Sequence, residues 1–285
     1  MRADPHDDPV PVRLDRDGYV LEVEDDFQAG ELDARLWIPY YLPQWASRER
    51  TAARYDVGGG RLRLRIDADQ APWSEEWNGG IRVSSLQTGV LSGPVGSARG
   101  QHRFRPDLVV REAQEPRVLY APRYGLIELT SAAIADPSSL VALWMIGLED
   151  APERSAEICV MEIFGRDVGA SEVRVGMGVH PFGDPAIRDE FEQVEVAIDA
   201  REPHSYAAAW TPGRVAFYVD EMLVKVVHQS PDYPMQLMLN VYELPDLVEA
   251  PSPGSAYPKV FEVRSLRGWR PVRGPGARPP AFPAG

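Results

Sequence analysis

The chain has 285 residues, with 30 basic against 43 acidic side chains and a net charge of −13. Nucleic acids and anionic membrane surfaces, whose recognition needs a basic stripe, are therefore excluded as expected partners. Apolar residues make up 44% and charged residues 26%, the balance of an ordinary globular chain rather than a disordered, coiled-coil or collagen-like one.

Residues 1–18 are polar and proline-punctuated, with charges where a secretory signal would carry an apolar stretch. A cytoplasmic location follows as the expectation, with secretion by a non-classical route as the alternative. Residues 1–18 are expected to form a flexible N-terminal segment, 19–272 one domain, and 273–285, nearly all Pro, Gly, Ala and Arg, a flexible tail. Within the domain, 61–66 (RLRLRI) alternates charge and aliphatic after Gly58-Gly59-Gly60, the period-2 pattern of a strand with one wet face. The arginine-rich stretch 93–122 is read as a cleft loop or an insertion. Further strands are expected over 124–129, 156–164, 172–175, 194–198, 205–210, 214–219, 222–227, 236–242 and 261–266, each bounded by turn residues. The apolar run 140–148 (LVALWMIGL) is far short of the ~18–20 residues of a membrane span. Between 205 and 227, Thr211-Pro212-Gly213 and Asp220-Glu221 separate three runs, which reads as an antiparallel meander. Many strands without intervening helices make the chain all-β, a sandwich or barrel. The single cysteine, Cys159, excludes an intrachain disulfide.

The stretch Glu157-Ile158-Cys159-Val160-Met161-Glu162 places two glutamates in an otherwise apolar strand. A charge facing a core costs several kcal/mol unless paired, so both must face a wet groove or each other. Their odd spacing would send them to opposite faces of a regular strand. A bulge after Cys159 would restore Glu157, Cys159 and Glu162 to one face. Two carboxyl groups on one face suit glycoside hydrolysis, and two solvated surface glutamates are the bland alternative.

This segment resembles the E-[IL]-D-x-x-E signature of family 16 glycoside hydrolases, the laminarinase and lichenase group. Other segments resemble that family in order along the chain. They are Asp26-Phe27 with Leu32-Asp33 and Trp37; Gly60-Arg61-Leu62-Arg63-Leu64; the run from Trp77 to Ser85; Tyr124-Gly125-Leu126-Ile127-Glu128; Ala142-Leu143-Trp144-Met145; the run from His204 to Pro212 with Phe217-Tyr218-Val219-Asp220; and the run from Pro234 to Asn240. The resemblance implies a concanavalin A-like β-jelly-roll sandwich of two curved antiparallel sheets whose concave face holds a polysaccharide. It implies a retaining endo-glycosidase acting on a β-1,3- or mixed-linkage glucan or a related glycan. Glu157 is then the nucleophile and Glu162 the general acid/base. Trp144, Trp77, Asn78, His180 and Asn240 are the implied substrate-binding residues, while Trp37 and Trp210 are expected in the core.

Cys159 departs from the family pattern, standing where the motif has an Asp that orients the nucleophile. A thiol is a weak hydrogen-bond partner and neutral near pH 7. The alternative reading is consequently a weakly active or non-catalytic carbohydrate-binding protein on the same fold. No H-x-x-H or H-E-x-x-H spacing supports a catalytic metal, and no cofactor is required. The resemblance allows a structural Ca²⁺ on the convex face, with Glu24 and Glu262 as candidate donors. The expected partner is a polysaccharide or oligosaccharide, and the expected state a monomer.

Overall fold

The computed structural model describes residues 10, 12–247 and 256–272. The expected tail at 273–285 and the first nine residues lie outside the described residues. Along the chain come β1 (Tyr19–Asp25), α1 (Arg48–Thr51), β2 (Arg54–Val57), β3 (Leu62–Ile66), α2 (Glu75–Asn78), β4 (Arg82–Gln87), β5 (Gly89–Val90) and β6 (Arg117–Val118). There follow β7 (Gly125–Ala132), β8 (Ser139–Gly147), β9 (Glu157–Phe164), β10 (Val173–His180) and β11 (Glu192–Val196). The last are β12 (His204–Thr211), β13 (Arg214–Val219), β14 (Met222–Val227), β15 (Met235–Glu243) and β16 (Lys259–Pro271). No described helix is long and apolar enough to cross a membrane.

The strands form two antiparallel sheets, an eight-stranded one ordered β14-β13-β12-β7-β16-β3-β2 with β1 also on β16, and a six-stranded one ordered β11-β10-β9-β8-β15-β4. This is the jelly-roll sandwich expected from the sequence. The meander at 205–227 is present as β12 to β14 in antiparallel register. Its second turn, Asp220-Glu221, has φ of 47° and 66°, the left-handed pair that a two-residue hairpin loop needs. Neither residue is glycine, and side chains hold the turn instead. The Asp220 carboxylate accepts from the Ser205 N–H at 3.0 Å and lies 2.6 Å from His204 Nδ1.

Between the sheets, alternate residues interlock: Leu62, Leu64 and Ile66 from β3, Val141, Leu143 and Met145 from β8, and Val175, Met177 and Val179 from β10. Trp37 and Trp210 belong to this core. Burial at about 25 cal/mol per Å² of apolar surface makes such alternation the main source of stability. In β8 the other residues, Leu140, Ala142, Trp144 and Ile146, are buried too, under loops on the outer face of the six-stranded sheet. Two covered faces explain why this strand reads as an unbroken apolar run.

Two expectations need correction. Residues 13–16, assigned to a flexible end, pack on the β13–β14 turn. Leu14 is buried, its N–H donates to Glu221 O at 2.7 Å, and Arg16 pairs with Glu221 at 3.0 Å and with the buried Glu128. One aliphatic anchor and two ion pairs offset the entropy that the polar composition suggested would win. The candidate calcium donors are also engaged otherwise. Glu24 accepts from Arg267 at 2.7 Å, and Glu262 pairs with Arg61 at 3.0 Å and Arg264 at 2.7 Å. Carboxylates neutralised by guanidinium do not fit a hard dication that needs several free oxygens. Among the described residues, no group of three or more His, Cys, Asp and Glu is placed to hold a metal.

Candidate active site

The site is built on β9 and its two neighbours. On β8, Trp144 pairs with Cys159 and Leu143 with Met161, so Val160 is an extra residue on β9. On β10, Gly178 pairs with Cys159 and Gly176 with Glu162, the same irregularity seen from the other side. Ile158, Val160, Met161 and Ile163 all enter the inter-sheet core. The two consecutive inward residues, Val160 and Met161, are the bulge, and through it Glu157, Cys159 and Glu162 line one cavity.

That cavity, of about 200 Å³, is also lined by Tyr41, Asn78, His102, Trp144, His180 and Tyr242. His180 stands directly opposite Glu157 across the β9–β10 ladder and stacks on Phe191, with ring centroids 4.6 Å apart. Phe191 can lie there because β10 has glycines at 176 and 178. A Cβ on Gly176 would come within 2.5 Å of the Phe191 ring, and Gly178 takes φ of 148° with Glu190 O 2.3 Å from any added Cβ. Trp144 Nε1–H donates to Asn240 Oδ1 at 2.6 Å, which fixes the indole plane at the cavity wall.

The expected substrate-binding residues are therefore not all together. Trp144, Asn78 and His180 face the cavity with the carboxylates. Asn240 is fully buried behind Trp144 and orients it rather than lining the cavity. Trp77 lies one step away in an adjoining groove of about 330 Å³ with Trp45, Trp73 and Arg111. Arg105 and Arg111 each sit 5.3 Å from the Trp77 ring.

Sequence reasoning missed His102, Tyr41, Tyr242 and Glu149. The stretch 93–122, read as a cleft loop or an insertion, brings His102 to the cavity wall. Gln101 pins it: its backbone carbonyl accepts from Trp45 Nε1–H at 2.8 Å and from Gln44 Nε2–H at 3.0 Å, and its amide donates to Gln236 at 2.8 Å. His102 follows, with Nδ1 3.4 Å from Glu157 Oε1. A lone histidine in an aperiodic loop gives no local signal. Only the Gln101 contacts, remote in sequence, bring it to β9.

Burial dominates the electrostatics. It pushes Glu157 up to about 8, with the charges of Glu162, Glu149 and Asp189 adding to the shift. Desolvation alone pushes Glu162 up to about 7, and Glu149 also rises to about 7, its burial partly offset by the His102 N–H that it accepts. Burial lowers His102 to about 4, so its ring is neutral near pH 7. The Cys159 thiol is raised well above its ordinary value and stays uncharged, with Gly176 O at 3.8 Å. Two neighbouring carboxyl groups that titrate near neutrality on one wall of an aromatic-lined cavity can divide the work, the protonated one donating to a bound acetal and the ionised one attacking it.

Residues 121–246, which include β7 to β10 and the whole of β15, match the family model "Glycosyl hydrolases family 16". No curated protein matches the chain. Among solved structures, a GlcNAcα1-4Gal-releasing endo-β-galactosidase from Clostridium perfringens superposes with TM-score 0.76 at 27% identity, over 93% of this chain and 66% of that one. This chain thus spans about two thirds of that protein's length. A laminarinase catalytic domain from Thermotoga petrophila superposes with TM-score 0.63 at 17% identity, over 90% of this chain and 99% of that one. An endo-β-1,3-glucanase from Pyrococcus furiosus gives TM-score 0.61 at 16% identity, over 93% and 100%. Residues 121–246 thus resemble the glycosyl hydrolases of family 16, and nearly the whole chain shares the fold of these solved structures.

Proposed function

We propose that this protein is a family 16 glycoside hydrolase, a retaining endo-glycosidase that cleaves a β-galactoside-containing glycan by double displacement, with Glu157 as nucleophile and Glu162 as general acid/base. The observation that carries the reading is the β9 bulge, which turns Glu157 and Glu162 into one cavity walled by Trp144. The galactosidic preference rests on the endo-β-galactosidase, whose identity to this chain, 27%, exceeds the 17% of the laminarinase. A β-glucan is the second substrate class.

In the first step the Glu157 carboxylate attacks the anomeric carbon, the glycosidic bond breaks, and the Glu162 proton passes to the leaving oxygen. Two adjacent carboxyls repel as anions, so near neutrality the pair keeps a proton that either can carry, and attack proceeds from the arrangement with Glu157 ionised and the proton on Glu162. Forming the glycosyl ester removes the Glu157 charge, and Glu162 then ionises more readily. In the second step it takes a proton from water, whose oxygen attacks the same carbon and releases Glu157. Trp144 offers an apolar face to the sugar ring, and Asn78 and His180 offer polar groups to its hydroxyls.

A non-catalytic carbohydrate-binding role is favoured by one feature, the buried neutral thiol of Cys159 between the two glutamates. The deciding experiment measures reducing-end release from galactan, agarose, a mucin glycan, laminarin, lichenan and xyloglucan, with Glu157→Gln as control. Release on at least one that Glu157→Gln abolishes, with the first product keeping its anomeric configuration by proton NMR, supports the hydrolase. Binding without release on every substrate supports the binder.

A further inference from the structure

Resting on that reading, we propose that His102 is a positioning residue that holds the Glu157 carboxylate for attack through an Nδ1–H···Oε1 hydrogen bond, supplying from a loop what Cys159 cannot supply from the strand.

Within β9 nothing polar is available to steer Glu157. The nearest outward neighbour, Cys159, has its sulfur on Gly176 O at 3.8 Å, and a neutral thiol is a poor donor. His102 Nδ1 is buried, lies 3.4 Å from Glu157 Oε1, and makes no hydrogen bond in this structure. That separation is long for a finished hydrogen bond, as catalytic contacts often are before substrate binds.

The ring is held firmly for a loop side chain. Its face stacks on Phe182, with centroids 4.6 Å apart and planes 18° from parallel, and Trp144 meets it edge-on at 5.1 Å. Its own backbone N–H donates to Glu149. His102, Glu149 and Phe182 have φ of 52°, 54° and 47°. Left-handed conformations cost non-glycine residues energy and concentrate at functional sites. Here two residues in that conformation, Phe182 and Glu149, each contact a third, His102.

A neutral imidazole has two tautomers, and the partner chooses between them. When Glu157 is ionised, the Nδ1–H form donates to it, whereas the Nε2–H form would set a lone pair against the carboxylate. The groups facing this contact are Glu157 and Glu149 on the histidine side, and Glu162, Asp189 and His180 around the carboxylate. The carboxylates dominate this cluster, and His180 has its Nδ1 3.3 Å from Asp189, which leaves the unpartnered His102 Nδ1 as the ring nitrogen facing Glu157.

Nitrogen-15 NMR of histidine-labelled protein, recorded above pH 8 and assigned by the signals lost in His102→Asn, reads the tautomer directly and needs no substrate. Protonation at Nδ1 supports the proposal; protonation at Nε2 overturns it whether or not any glycan is cleaved. In kinetics, His102→Leu should lower kcat by about 10- to 100-fold with KM within about threefold, the effect of one lost charge-assisted hydrogen bond. His102→Asn, whose amide nitrogen can occupy the Nδ1 position, should recover much of that loss. Unchanged kcat in folded His102→Leu, or equal loss in Asn and Leu variants, would overturn the proposal. Absence of wild-type hydrolysis would instead refute the enzymatic reading, and the tautomer measurement would still decide the His102–Glu157 contact.

Discussion

Glu157, Glu162 and Glu149 all sit above the usual carboxylate range because burial penalises their charge. Folded-state values above unfolded ones mean that the native protein binds more protons than the unfolded chain from roughly pH 4.5 upward. Their contribution to stability is present below that pH and is lost as pH rises through about 7 to 8. His102, lowered to about 4, acts with the opposite sign between about pH 4 and 6.5. Net stability should therefore fall most steeply between about pH 6.5 and 7 and level off above about 8, and Glu157→Gln should flatten that fall and stabilise the protein by about 1–3 kcal/mol at pH 8. Urea unfolding across pH 5–8.5 measures both effects, and a midpoint in Glu157→Gln that tracks the wild type at every pH would refute the assignment. Cys159→Asp adds a third carboxylate at a buried position already flanked by two. It should destabilise by about 2 kcal/mol at pH 8 and by less at pH 5, where the new group is protonated. The departure from the family signature at residue 159 is plain in the sequence, but the imidazole on the far side of Glu157 is not.

At the scale of elements, β9 was legible because two charges at odd spacing in an apolar strand can share a face only through a bulge. Val160 is that extra residue. Deleting it should give a regular strand in which Glu157, Cys159 and Glu162 still face outward, since Met161 alone would then separate Cys159 from Glu162 on the inward side. The protein should fold, at a cost of roughly 1.5–3 kcal/mol for one lost buried valine. Activity should nevertheless fall by two orders of magnitude or more, on the scale of about 10²-fold for a 1 Å misplacement, because the bulge sets the aim of Glu162 relative to Glu157. Circular dichroism and reducing-end release on one preparation test both halves; retained activity would show that the facing alone suffices. Strands that patterning missed have physical reasons. β1 presents Val20 and Leu21 to solvent on an edge, and β4 (RVSSLQ) is buried through its serines, Ser84 and Ser85, so neither alternates apolar with polar. Ser84 is satisfied by donating to Arg65 O at 2.8 Å and accepting from the Arg54 N–H at 2.9 Å, partners that no local window contains.

Over the whole molecule, the outer face of the six-stranded sheet is partly roofed by three loop regions that share one apolar cluster: Tyr41, Leu42 and Trp45, then Trp73, then Leu108 and Val110. Arg111 clamps two of them through Glu76 at 2.8 Å, and Arg48 donates to Gln114 at 2.8 Å. The roof divides the face into the carboxylate cavity and the adjoining groove that holds Trp77, with Asn78 lining the first and Trp77 the second. The sequence signalled Trp77 and Asn78 as one cleft segment, yet a helix as short as α2 turns neighbouring residues in different directions, so they serve two spaces. A sugar chain that fills the cavity and continues past Asn78 would meet Trp77 with a further unit, whereas a short oligosaccharide ends before it. Trp77→Ala should therefore raise KM for a polymer or long oligosaccharide by about 2- to 10-fold, the scale of one aromatic contact, and leave KM for a di- or trisaccharide within error. kcat should hold for both, since Trp77 lies outside the cavity of Glu157 and Glu162. Parallel Michaelis curves on a length series of one glycan test this, and an equal KM change at every length would place Trp77 as a support of the roof rather than a contact for the chain.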